Sequence, residues 1–310
     1  MVMTAPDAER DSAEPSVFGF RIRSAVPLRF LRHGGGVDPL EIVTHDRSDQ
    51  AADAELLGEW PLQGTSYPAT AKLLRVPGGY EYWTSDAGLF LVDYEHQRIG
   101  IPANGDELLR EQRLYGMPLI LSFASRGDVS LHAAAVEVGS RAIILAAPSK
   151  YGKTTLAFAF QRRGHRVLSE DLICCRPDTA EAIPGPAVLR LRPDVFDGAL
   201  PEGLSVVARQ PDRIFVGFDA LRRGSSAPVA IKAIVFLRES DEFKVEPVPG
   251  VTALKDLWRL SFRTGTEDWR AASFRSLTAL AGSVRSWNAY RPLSLAALDT
   301  TVSLMEELPD

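Results

Sequence analysis

Cysteine is nearly missing from this chain. Its 310 residues hold two, Cys174 and Cys175, and they are neighbours. Adjacent cysteines have poor geometry for a disulfide and are too few to ligate a metal. A disulfide scaffold and a cysteine-based metal module are therefore excluded, and two reduced thiols on a buried strand are expected. An excess of basic charge is missing too: 35 Lys and Arg stand against 40 Asp and Glu, for a net charge of -5. A nucleic-acid partner ordinarily needs a basic face, so none is expected. No apolar run approaches the roughly 20 residues of a membrane span, so no membrane partner is expected either. The opening MVMTAPDAERDSAEPS is acidic and lacks the apolar core of a signal peptide. It reads as a disordered tail over residues 1–16, and the protein as cytoplasmic.

One further absence is local. The stretch ILAAPSKYGKTTLAFAF, Ile144 to Phe160, follows the phosphate-loop pattern G-x-x-x-x-G-K-[ST] except that its first glycine is Ala147. Gly152, Lys153 and Thr154 are in place, and these are the parts that touch phosphate and metal. The surroundings fit. Ala142 to Ala146 is a short apolar run, as expected of a parallel strand covered on both faces. Thr154 to Arg163 lacks Gly and Pro, repeats Leu156, Ala159 and Phe160 at helical spacing, and is stopped by Gly164. An alanine at the first position is tolerated where φ is negative, since only φ > 0 strongly demands glycine.

Composition is otherwise that of an ordinary globular chain, 45% hydrophobic and 24% charged, long enough for two domains or one large one. Residues 17–102 alternate apolar and polar positions, with turns at Pro77-Gly78-Gly79 and Asp86-Ala87-Gly88, and read as a β-rich N-terminal domain. A connecting helix starts at Asn104-Gly105-Asp106 and ends at Gly127, within residues 103–128. Residues 129–310 form the phosphate-loop domain. There a hairpin turns at Gly139-Ser140, a second apolar strand ends in Glu170-Asp171, and further strands cover Ala230 to Arg238 and SWNAYRP. Three helices close the chain, around Leu257, Leu277 and Val302. The expected fold class is α/β, α+β overall: a β-rich front, then a phosphate-loop catalytic domain with C-terminal helices.

Phosphoryl transfer needs a phosphate cradle, a magnesium held by a hydroxyl and a carboxylate, and a base that orients the attacking group. Backbone from Ser149 through Lys150 and Tyr151 to Gly152, the Lys153 side chain, Thr154 and Thr155 make up the nucleotide-binding set for ATP. Lys150 reads equally as a second positive charge on the nucleotide or as a solvated lysine. Thr154 and Asp171 are the expected Mg2+ ligands, a hard cation preferring oxygen. Glu170 and Asp171 are both candidates for the base, with His132 in support. Arg190 and Arg192 alternate on a strand and fit either a phosphate contact or a solvated face.

LHAAAV, then APSKYGKTTLA, then RRGHRVLSEDL resembles the catalytic domain of HPr kinase/phosphorylase and the wider HPr kinase-related proteins. In that family a histidine precedes a Walker-type loop, and an RGH-strand-Asp-Asp segment follows it. His132 matches the histidine, Gly152-Lys153-Thr154 the loop core, Gly164-His165 the GH, and Glu170-Asp171 the acidic pair. The resemblance implies a serine kinase. The β-rich front looks like that of relatives in peptide natural-product clusters, including lasso-peptide clusters, which phosphorylate a precursor-peptide serine. Two departures stand out. Glu170 replaces the first aspartate, and AIPGPAVLRLRPD lacks the E-x-R-G-x-G signature linked to the phosphorylase half-reaction, so a kinase without phosphorylase activity is expected. The family's hexameric state implies a homo-oligomer.

The sequence reading is thus an ATP- and Mg2+-dependent kinase whose partner is a peptide or small-protein serine acceptor. Two alternatives stay open: a kinase of a free amino acid or other small metabolite, and a nucleotide-binding regulatory module with little turnover. For the front domain, an exposed sheet edge that recruits an extended peptide stands beside a packing role alone.

Overall fold

Alternating hydrophobicity in the first third of the chain builds one sheet, and continuous apolar runs in the remainder build another. The computed structural model describes residues 14–62, 67–196, 198–219, 223–263 and 266–309. Of the tail predicted over residues 1–16, residues 1–13 lie outside the described residues. Pro15 and Ser16, assigned to that tail, instead belong to a strand, Pro15–Val17, in which Ser16 is fully buried and donates its hydroxyl to the Gly34 carbonyl.

The front sheet has nine strands. From one edge to the other these are Arg32–His33, Pro15–Val17, Phe20–Ser24, Asp38–His45, Arg98–Pro102, Gly88–Asp93, Gly79–Thr84, Thr70–Val76 and Glu55–Pro61. Its last five are an antiparallel run, while Asp38–His45 pairs in parallel on both sides. The aromatic residues Tyr80, Tyr82, Trp83 and Phe90 sit on the inner strands, not on an edge.

The connecting segment is two helices, not the single helix expected. Glu107–Leu114 is capped by the Asp106 side chain, which accepts from the Leu109 N–H, and Met117–Ala124 follows. Gly116 departs from helical dihedrals and Pro118 sits in the first turn of the second helix, where its missing N–H is not needed.

The second sheet runs Val129–Leu131, Ile173–Arg176, Glu181–Ile183, Val229–Glu239, Arg141–Ala146, Ala133–Val138, Arg166–Ser169. Arg141–Ala146 pairs in parallel with Val229–Glu239 and antiparallel with Ala133–Val138. Ser286–Arg291 lies parallel on Val229–Glu239, with Lys244–Val248 antiparallel beyond it. Both faces are covered, as the continuous apolar runs require. Ile143 and Leu145 point into a core with the helices Lys153–Arg162 and Leu298–Glu306; Ile144 and Ala146 point into a core with Gly250–Leu260 and Glu267–Ser283. A small three-stranded sheet, Val188–Leu191, Ile214–Phe218 and Leu204–Arg209, flanks the first of these cores. The fold class is α/β, with strands dominating the front and helices the C-terminal end.

Front and rear share one hydrophobic core. Phe18, Phe20, Phe90 and Phe123 pack in the same cluster as Leu172, Cys174 and Ile183. Arg32, fully buried, donates to the carbonyls of Gly185, Val167, Leu168 and Arg223, binding the front sheet's edge to the rear half. Burial pulls its pKa down to about 9.

Candidate active site

The loop after Arg141–Ala146 is where the chain's chemistry collects. Ala147 keeps a negative φ, so the missing glycine is not needed there, while Lys150 (φ 71°) and Gly152 (φ 75°) carry the left-handed turns. A side chain at Gly152 would be strained twice over, since a Cβ there would lie 2.9 Å from the Arg291 guanidinium. The helix Lys153–Arg162 starts at once, with no side-chain cap on its first turn. Its first N–H groups and the positive end of its dipole are therefore left for an anion.

Lys153 is buried, and its ammonium donates to the carbonyls of Ala147 (2.8 Å) and Pro148 (3.0 Å). An ammonium has three donors, so one remains for a phosphate held in the loop. Burial lowers its pKa, and the Asp171 and Glu170 charges offset part of that effect.

Glu170 and Asp171 occupy a tight bend between Arg166–Ser169 and Ile173–Arg176, with Asp171 itself left-handed (φ 67°). The strand expected to end in this pair, Arg166–Ser169, does so, and Ile173–Arg176 follows the bend as a second strand. The bend turns the two carboxylates to different partners. Thr154 Oγ1 donates to Glu170 Oε1 (2.6 Å), while His132 Nε2 lies 3.0 Å from Asp171 Oδ1. Arg190 closes the chain, its Nε donating to Glu170 Oε2 (2.9 Å) and its terminal nitrogen to Asp171 Oδ2 (2.6 Å). Burial alone would raise the Asp171 pKa, but the Arg190 charge and the His132 contact outweigh it and hold the carboxyl well below the ordinary range. The same two carboxylates outweigh the opposite effect of burial on Arg190 and raise its pKa.

These groups line a cleft of about 930 Å³. Lys150, Lys153, Arg113, Arg190, Arg192, Arg213 and Arg291 line it, against three carboxylates, Glu170, Asp171 and Asp194. A chain with net charge -5 thus concentrates positive charge in its cleft, the arrangement that focuses field on an anionic ligand. Toward the front sheet the walls become apolar. The Phe262 ring lies 6.2 Å from that of His132, and Trp60, Leu62, Tyr82, Met117 and Ile120 continue beyond it.

Of the residues singled out from sequence, His132, Ser149, Lys150, Gly152, Lys153, Thr154, Thr155, Glu170 and Asp171 come together on this cleft. Tyr151 does not: its side chain packs against the apolar core beneath the loop. His165 is elsewhere as well, 2.6 Å from Glu306 at the far end of the loop helix. Arg192 is engaged with Asp194. Arg213, Phe262 and Arg291 were not foreseen, because no local pattern sets them apart. Among the described residues no cluster of three or more His, Cys, Asp or Glu side chains is suited to a metal. The hydroxyl-and-carboxylate pair Thr154–Glu170 does fit magnesium, which takes one or two protein oxygens and completes its shell with phosphate and water. No helix among the described residues is long and apolar enough to cross a membrane.

No family model matches the chain, and no curated protein matches it in sequence. Among solved structures it is similar to the Hpr(Ser) kinase/phosphatase from Coxiella burnetii, with 10% identity and a TM-score of 0.29 over 57% of this chain and 93% of that one. A likeness of that size carries no inference about chemistry, which rests on the site itself.

Proposed function

We propose that the protein is an ATP- and magnesium-dependent kinase that phosphorylates a serine hydroxyl on a peptide or small protein. The observation that carries this reading is the linked chain Thr154–Glu170–Arg190–Asp171–His132, standing directly beside an uncapped helix N-terminus and a buried lysine with a spare donor. A pure nucleotide binder has no use for the second carboxylate and its histidine.

In this reading the two carboxylates divide the labour, as their different contacts suggest. Glu170, on the Thr154 hydroxyl, is the metal-side carboxylate; magnesium bound there would neutralise charge on the β- and γ-phosphates. Asp171, which the sequence reading offered both as metal ligand and as candidate base, lies beside His132 and in this reading accepts the proton of the attacking hydroxyl. As that proton leaves, the acceptor oxygen bonds to the γ-phosphorus and the bond to the β,γ-bridging oxygen breaks, releasing ADP. Lys153 and the first-turn N–H groups hold the charge that develops on the leaving phosphate. A precursor peptide as acceptor and the lack of phosphorylase activity rest on the motif resemblance and on the missing signature after the acidic pair.

Paired substitutions test the division. Asp171→Asn is expected to keep magnesium-ATP affinity and lose transfer rate by ~10²–10⁴-fold, the usual contribution of a positioned base. Glu170→Gln is expected to weaken magnesium-dependent ATP binding itself. Full activity in both variants would make the pair structural and end this mechanism.

A further inference from the structure

The cleft has apolar lining besides the walls it shares with the front sheet, on the C-terminal segment that meets the phosphate loop through Arg291. Ser286–Arg291 runs parallel to Val229–Glu239, which runs parallel to Arg141–Ala146. All three strands therefore deliver their carboxyl ends to one edge, where open α/β sheets place ligands. What leaves Ser286–Arg291 at that edge is Arg-Pro-Leu-Ser-Leu, Arg291 to Leu295.

Two features of this segment bear on a ligand. Leu293 and Leu295 both line the cleft, with 42% and 54% of their surface exposed, and so set two apolar side chains beside the phosphate loop. Arg291 is the opposite case: 2% exposed, it donates to the carbonyls of Tyr151 (2.7 Å) and Pro292 (3.2 Å), and its Nε–H has no partner. Burial lowers its pKa, with no neighbouring carboxylate to compensate. A buried guanidinium with a spare donor, held on the phosphate loop beside exposed leucines, fits a ligand that is anionic at one end and flat and apolar at the other.

We propose that Arg291–Leu295 is the nucleoside seat of the cleft, with Leu293 and Leu295 covering the faces of the base and Arg291 donating to the phosphate next to the ribose. The proposal rests on the kinase reading and deepens it. The donor is a nucleoside triphosphate held by its base, not an inorganic polyphosphate held by its charge alone. It also gives the cleft a direction, donor nucleoside at the C-terminal segment and acceptor at the apolar walls beyond His132 and Phe262.

Titration calorimetry on the full-length protein separates the two layers, with magnesium-ATP and magnesium-tripolyphosphate as probes. The wild type is expected to bind ATP at least about tenfold more tightly than tripolyphosphate. Leu293→Ala/Leu295→Ala, a change at exposed positions, is expected to lose most of that advantage while its tripolyphosphate affinity stays put. That unchanged affinity also reports that the loop is folded. Equal wild-type affinity for both probes, retention of the ATP preference in the variant, or equal loss of both ligands would each overturn the seat. Binding of neither probe by the wild type would instead overturn the phosphate-loop reading on which it stands.

Discussion

Arg190 is the residue on which the site's electrostatics turn, and Arg190→Met, similar in length but uncharged, isolates its role. The substitution leaves two carboxylates in one bend without their shared counter-charge. Glu170 is the buried one, its side chain 6% exposed, whereas Asp171 has 46% of its side chain open to the cleft. Breaking a buried pair from one side costs about 3–5 kcal/mol, because a charge is left uncompensated in low dielectric. An exposed pair is worth only about 0–1 kcal/mol. The loss should therefore come mainly from Glu170 and amount to ~3–5 kcal/mol, or roughly 5–8 °C in thermal midpoint at this size. Differential scanning calorimetry at neutral pH measures it. The decisive step is to add Glu170→Gln to the same protein. Removing the stranded charge should recover more than half of the deficit, so the double variant is more stable than Arg190→Met alone. If the two losses simply add, Glu170 and Arg190 are not the coupled pair described here.

The same network sets a pH dependence. The folded pKa of Asp171 is depressed, so the stabilisation from its ionised form is fully present above the unfolded carboxylate value near ~3.9 and is lost only as pH falls through the lower folded value. Wild-type transfer should show no acid limb from this group between about pH 5 and about pH 8, a range ~1 unit or more above that value. In Arg190→Met the Asp171 carboxyl loses the largest charge holding it down, so its pKa rises and any acid limb of the pH–rate profile should lie at higher pH than in the wild type; an acid limb at lower pH would contradict the Arg190–Asp171 pairing. A chain beginning near Asn104 should not fold on its own, since Phe18, Phe20 and Phe90 share a core with Leu172, Cys174 and Ile183; a cooperative thermal transition in that fragment would contradict the shared core.

What was legible in the sequence was local. The strand, loop and helix around Gly152-Lys153-Thr154, the hairpin at Gly139-Ser140, the stop at Gly164 and the acidic pair after its strand are each written within a few residues, where turn chemistry and periodicity act directly. The helix break at Gly116-Met117-Pro118 was equally local, and the apolar periodicity running through it concealed the Gly and Pro. What stayed hidden depends on contacts between distant segments. Arg190 on an alternating strand looks like any solvated arginine until the bend at Glu170-Asp171 is folded against it. Arg291 shows nothing unusual in SWNAYRP, because its meaning comes from parallel pairing that brings it to the Tyr151 carbonyl. The front segment, with its own strand pattern, looks separable, yet the apolar side chains that join it to the rear half lie far apart in the chain.

The central claim is that this cleft moves a phosphoryl group from ATP to a hydroxyl. Its most direct test is transfer of label from γ-labelled ATP, with magnesium, to a mixed pool of serine-containing peptides, run beside Lys153→Ala. The account expects base-labile, acid-stable label on peptide serine with the wild type and none with Lys153→Ala, whose loop has lost the ammonium that holds the phosphates. Serine labelling that persists undiminished in Lys153→Ala, or a wild type that binds magnesium-ATP yet labels no hydroxyl in the pool, would contradict it.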